Sequence, residues 1–114
     1  MIDIEATIIA YLRNAGYAAY ADVPNPRPKT FVTVERTGGS MDSIVLDRPT
    51  VAVQSWAQSR LDASRLSMEV DGHLRQMALA IPDVCYVERD SLYNWPDEYG
   101  NNARYQGVYH ITTQ

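Results

Sequence analysis

Between Ser59 and Ile81 the apolar residues fall on one helical stripe. Ala63, Leu66, Val70, Leu74, Met77 and Ile81 recur at three- and four-residue spacing, while Arg60, Arg65, Glu69 and Arg75 lie mostly elsewhere. Ser59 followed by Asp62 has the form of a capping box, with a hydroxyl and a carboxylate placed where free amide donors need partners. Pro82 stops the helix. Gly72 inside it costs roughly 1 kcal/mol against Ala, and close packing on a sheet is one reason to carry it. The segments on either side alternate with period two. "TFVTVERT" sets Phe31, Thr33 and Glu35 against Val32, Val34 and Arg36, and "PTVAVQSWA" sets Val51 and Val53 against Ala52, Gln54 and Trp56. "VCYVER" and "RYQGVYHITT" read as two more strands, the second with Tyr105, Gly107, Tyr109 and Ile111 on one side.

A first helix precedes these elements. Ile4, Ile8, Ile9 and Leu12 share a face, Asp3 caps the start and Gly16 closes the end. A short extended piece near Tyr17 to Asp22 follows. Pro24, Pro26 and Pro28 then forbid a continuing helix or a central strand and make a stiff connector. The order helix, strands, helix, strands predicts an α+β fold, with an antiparallel or mixed sheet and two helices packed on one face. A chain of 114 residues fits a single domain spanning 1–114.

Between the second and third strand-like runs lies an anomaly. The linker from Gly38 to Arg48 opens with Gly38-Gly39 and closes with Asp47-Arg48 before Pro49, about eleven residues where a hairpin needs two to five. Gly38-Gly39 permits a sharp turn away from the sheet, and Pro49 suits an edge or the first residue of a strand. Met41, Ile44, Val45 and Leu46 are too apolar for a solvated linker. Two outcomes follow: the segment extends the hairpin as a longer ribbon or local cover, or it is buried against a partner.

The charge balance narrows the partners. A net charge of -4 opposes nonspecific attraction to phosphate, so no specific nucleic-acid binding is expected. Nine of the ten basic residues are Arg, with Lys29 the exception, a bias that suits bidentate pairing at interfaces and also follows from genome composition. The lone Cys85 excludes an internal disulfide and is consistent with a reducing cytoplasm. The acidic N-terminus "MIDIEATIIAYLRNAG" does not read as a signal peptide, and no apolar run approaches membrane-spanning length, so no membrane partner is expected.

Residues with chemistry are sparse. Cys85 and His110 fall on neighbouring strands and could form a nucleophile–base pair, but a lone strand cysteine is usually a small buried hydrophobe. His73 sits beside the apolar stripe, where a partly buried or solvated ring is expected. Two His and one Cys without close spacing give no metal site. Asp97-Glu98 reads as a solvated turn rather than a cation site, and Gly38-Gly39 lacks the helix and Lys of a phosphate loop. No catalytic residue and no cofactor are expected. In "LYNWPDEYGNNARY", Tyr93, Trp95, Tyr99 and Tyr105 could stack on a sugar or base, but a core lid or protein interface is the stronger reading.

The chain as a whole resembles the tail terminator (tail completion) proteins of long-tailed phages and their prophages, the group that includes the terminator of phage lambda. The resemblance runs over nearly the entire chain. It rests on Glu35-Arg36-Thr37-Gly38-Gly39, on Asp47 and Pro49 before the strand ending Ser55-Trp56-Ala57, and on Arg104-Tyr105 opening the last strand. It implies an assembly role: a homo-hexameric ring on the finished tail tube that stops polymerisation and offers a docking face to the head. The implied partners are further copies of the chain, the tail tube protein and the head–tail connector proteins. The implied location is the virion tail or neck, after assembly in the host cytoplasm. The residues expected at subunit or tail contacts are Arg36, Gly38, Gly39, Met41, Asp42, Ile44, Asp47, Arg48, Trp95, Asp97 and Glu98. A head-closure or head–tail adaptor protein shares this outline. From other classes, a small ligand-binding domain would use the Trp95 and Tyr99 loop, and a hydrolase Cys85 and His110.

Overall fold

The computed structural model describes residues 2–41, 46–97, 100 and 102–114. Helix α1 (Ile4–Asn14) leads to β1 (Ala19–Tyr20), β2 (Phe31–Met41) and β3 (Asp47–Ala57). Then come α2 (Arg60–Arg75), the short α3 (Met77–Ala80), β4 (Val84–Asn94) and β5 (Ala103–Thr113). The strands form one sheet in the order β1-β2-β3-β5-β4, in which only the β1–β2 pair is parallel. This five-stranded mixed sheet with three helices packed against it is an α+β fold.

The helices form where the periodicity places them. The Asp3 carboxylate accepts from the Ala6 amide, and the Ser59 hydroxyl accepts from the Asp62 amide. Gly16 ends the α1 region at φ 102°. Ile4, Ile8 and Leu12 of α1 and Leu66, Val70 and Leu74 of α2 are buried on the sheet. They join Val32, Val34, Val51, Val53, Tyr109 and Ile111 in one core cluster. The second helix does not run unbroken to Ile81. It ends at Gln76, whose amide turns back to the His73 carbonyl, and α3 restarts so that Met77 is buried while Leu79 faces solvent.

Both long hairpins exceed their sequence reading. The segment from Thr37 is not a departing loop: Gly38 pairs with Thr50, Gly39 with Pro49, Ser40 with Arg48 and Met41 with Asp47. A bulge between Arg36 and Gly38 shifts the register at Thr37 and inverts the side-chain alternation beyond it, which hides the strand from a period-two reading. A second bulge between Arg89 and Ser91 does the same in β4, so Ser91–Asn94 is strand rather than loop. Pro49 therefore lies inside β3, between two neighbours. The β3–β5 ladder is paired at Asp47–Thr113 and resumes at Thr50–His110, so Pro49 stands outside its continuous part.

Only one of the two adjacent glycines is required by this geometry. Gly39 has φ 110°, and a Cβ there would collide with the Arg48 carbonyl and the Pro49 Cα; Gly38 has open space around it. Gly39→Ala should lower unfolding free energy by about 1–3 kcal/mol in urea titration. Gly38→Ala should leave it within about 0.5 kcal/mol.

Candidate functional site

At the hairpin end of the sheet, the Arg36 side chain on β2 reaches Asp47 on β3 diagonally, since Arg36 is the register partner of Val51 and Asp47 that of Met41. The guanidinium donates two parallel bonds to the carboxylate, NH1 to Oδ2 at 2.7 Å and NH2 to Oδ1 at 2.9 Å, and its Nε donates to the Gly38 carbonyl at 3.0 Å. The Arg36 backbone amide donates to Glu5 on α1 at 2.6 Å, closing part of the β2 edge. Asp47 is buried, and Arg36 keeps a third of its side chain in solvent. The bond from Arg36 holds the Asp47 carboxyl below the usual carboxylate range, against the opposing effect of its burial. Both residues were expected to meet a partner. Within the chain their charged groups pair with each other at the base of the ribbon.

The sheet face away from the helices carries two rows of side chains. One row is planar. Phe31 stacks on Trp56 at 5.3 Å between centroids and 9° between planes, and the Arg104 guanidinium lies 4.8 Å from the Trp56 ring and 4.4 Å from the Trp95 ring. Tyr20 meets Phe31 edge-on at 6.4 Å, with Arg13 over the Tyr20 ring at 5.4 Å, and Arg27 lies 5.0 Å over Trp56. Burial lowers the Arg104 pKa from its ordinary value. The second row is polar. Trp56 Nε1 donates to Thr33 Oγ1 at 3.0 Å, and Thr33 Oγ1 donates to Gln54 Oε1 at 2.6 Å. Gln54 Nε2 then donates to Gln106 Oε1 at 2.8 Å, and Gln106 Nε2 donates to the Tyr93 hydroxyl. Thr33, Gln54, Gln106 and Tyr93 are direct register partners on β2, β3, β5 and β4.

A third cluster, absent from the sequence reading, lies between α2 and the sheet. Asp71 is buried and accepts from the Tyr109 hydroxyl at 2.9 Å, from Arg89 at 3.1 Å and more distantly from Arg75 at 3.5 Å. Burial pushes the Tyr109 phenol pKa well up, reinforced by the Asp71 carboxylate. Gly107 makes room for the Tyr109 ring, whose Cε2 would lie 2.7 Å from an added Cβ. The available signal was Asp71 on the stripe side of the second helix, where an acid needs a partner.

The expected contact residues divide between two ends of the sheet. Gly38, Gly39, Met41 and the exposed Arg48 join Arg36 and Asp47 on the β2–β3 ribbon. Trp95 and Asp97 lie at the β4–β5 turn, where Asp97 pairs with Asn102 as an isolated bridge and with Arg27 at 3.6 Å. Asp42, Ile44 and Glu98, with Val45 and Tyr99, lie outside the described residues. Eleven-residue strands separate the ends by about 30 Å, within a long dimension of 43 Å.

Cys85 and His110 do not form a pair. Cys85 is exposed rather than buried, in a β4 irregularity, whereas His110 is opposite Glu88 and touches Thr50 at 3.2 Å and Asp90 at 3.8 Å. His73 is half-buried against the Tyr17 ring at 5.4 Å. Among the described residues no group of three or more His, Cys, Asp or Glu could hold a metal ion, and no helix is long and apolar enough to cross a membrane. No protein-family model matches the chain, and no curated protein matches it at a significant level.

Because the folded Asp47 pKa is depressed, its stabilisation is full above the unfolded carboxylate range near pH 4 and is lost as pH falls through the folded value. Asp47→Asn should cost roughly 1–3 kcal/mol at pH 7. The difference between wild type and variant should shrink below about pH 4. Urea titrations from pH 7 to pH 2.5 measure both.

Proposed function

We propose that the chain is a phage or prophage tail terminator, a ring-forming assembly protein that caps the tail tube and carries the joint to the head. The observation that carries this reading is the separation of its contact-type residues. A hairpin ribbon lies at one end of the sheet and an aromatic–acidic turn at the other, about 30 Å apart. A protein that joins two different axial partners uses two such ends, and a ring subunit needs further surfaces for its neighbours. The sequence resemblance over the Glu35–Gly39, Asp47–Ala57 and Arg104-Tyr105 segments supports the same reading. So does the net charge of -4, since a ring around passing DNA works best without gripping phosphate.

The ribbon also changes what is expected of the free subunit. Gly39 and Ser40 sit in a paired ladder, so the ribbon is formed before assembly up to Met41 and Asp47. The test adds the purified protein to polymerising tail tubes from the same genome and images them by electron microscopy. Tubes of arrested length bearing a six-fold ring at one end are expected. Arg48→Glu on the exposed flank of the ribbon should weaken capping, with thermal melts establishing that the variant is folded. Tubes that keep growing in an excess of folded protein overturn the reading, and binding to head connectors without binding to tubes transfers it to a neck adaptor.

A further inference from the structure

Beside the Phe31–Trp56 stack, the connector before β2, the end of β3 and the β4–β5 turn enclose a cavity of about 160 Å³. Phe31 and Trp56 are buried and form its inner wall, while Arg27, Lys29 and Gln58 are exposed at its mouth, with Asn102 beside them. Sites for cofactors and drug-sized ligands take about 300–1,000 Å³, so this one suits a single side chain or a small ion. Its charged lining is a guanidinium and an ammonium, and among the described residues no carboxylate lines it.

The cations at the mouth are not consumed within the fold. Arg27 lies 5.0 Å over Trp56 and meets Asp97 only at 3.6 Å, beyond hydrogen-bonding distance. Lys29 makes no ion pair among the described residues. Arg104 lies on the same indole, and its pKa is lowered chiefly by burial, an effect that Asp97 opposes and the Arg27 charge reinforces. An adjoining cavity of about 410 Å³ shares Gln58 and Asn102 and adds Arg60 and Asp97. The two linings thus carry three cations and one acid. Counting Arg104 and the sequence neighbours Asp62 and Glu98 as well leaves the cations ahead, four to three, in a chain with fourteen acids and ten bases. The positive excess is local to this end.

We propose that this cavity receives one Asp or Glu carboxylate of the axial protein partner that meets the turn end of the sheet. The proposal rests on the assembly reading and names the chemistry which that end recognises. A planar carboxylate matches the guanidinium fork of Arg27, and Lys29 supplies a second positive charge at the mouth. The buried Phe31–Trp56 wall keeps water from one side of the contact, which strengthens both interactions. Trp95 is 46% exposed and is joined to Trp56 through Arg104, so it supplies the aromatic anchor beside the charged contact.

Two measurements on the full chain test this. In amide NMR spectra the probe is N-acetyl-glutamate methylamide, with its glutamine counterpart and inorganic phosphate as controls. The glutamate probe should shift the Trp56 indole and the Gln58 and Asn102 side-chain amides saturably at roughly millimolar concentration, and the glutamine probe should not. Arg27→Gln and Lys29→Gln should each weaken that binding about fivefold, and raising salt should weaken it in the wild type. Lys29 is exposed and makes no ion pair among the described residues, so its variant keeps the test valid if Arg27→Gln unfolds. No shifts with the glutamate probe, or equal or stronger binding of phosphate, overturn the proposal. The second measurement compares Lys29→Glu with wild type in tube capping and in binding to head connectors, with thermal melts to establish folding. One of the two contacts should weaken roughly tenfold. A folded Lys29→Glu variant that matches wild type in both overturns the proposal and leaves the assembly reading standing. A wild type that neither caps tubes nor binds connectors overturns the assembly reading, and the partner named here falls with it.

Discussion

The helices cover one face of the sheet, so the opposite face must exclude water with its own side chains. Strand β3 shows how. Val51 and Val53 serve the helix side, while Ala52 and Trp56 on the other side are also buried, at 3% and 4% exposure. Trp56 is the centre of that second face, held between Phe31 and Arg104 with Arg27 above it. Burying an indole and a phenyl ring there contributes several kcal/mol by area. That gain requires the indole N–H to be satisfied, and Thr33 accepts from it. Thr33 in turn needs Gln54, which needs Gln106, which needs Tyr93. No buried side-chain nitrogen or oxygen among the described residues lacks a partner. Removing one amide from such a chain strands its neighbours, so the polar row locks the register of four strands.

The sequence disclosed those parts of the fold that keep a regular period. Both helices, their Asp3 and Ser59 caps, and the core residues of β2, β3 and β5 follow from spacing alone. What it concealed lies beyond the two bulges. At Thr37 and Asp90 one extra residue inverts the alternation, so Gly38–Met41 and Ser91–Asn94 look like loop although both are paired. Gly38-Gly39 strengthened that impression, because a glycine inside a strand and a glycine in a turn are identical on paper. The candidate site was legible by residue type and not by role. Arg36 and Asp47 are eleven positions apart and off register, so only the folded ribbon brings their side chains together. Trp95 was marked as a contact residue, but its stacking on Arg104 needed the β4–β5 pairing.

The Arg36–Asp47 fork and the bulge beside it act as one device. The bulge increases local twist and re-aims the ribbon. The fork then fixes that direction, because a bidentate pair tolerates little rotation. Glu5 ties the same point to α1 by accepting from the Arg36 amide. The ribbon is consequently held by the body of the fold at its base, and Gly39 lets β2 approach Pro49 where a side chain would collide.

This pre-ordering bears on the proposed assembly role. A mobile eleven-residue loop would lose conformational entropy on docking, about 1–2 kcal/mol for each residue ordered. A ribbon already paired through Met41 and Asp47 has met that cost during folding, which leaves more of each contact's energy for association. The same holds on the open face, where Trp95 is positioned by Arg104, whose Nε donates to the Trp95 carbonyl at 2.7 Å. A rigid aromatic anchor of this kind loses little entropy on contact. In the proposed ring, individually weak contacts would become strong together only when several copies close, since ring closure makes the last contact intramolecular. Individually weak contacts and a stable assembled ring are therefore compatible properties of one chain.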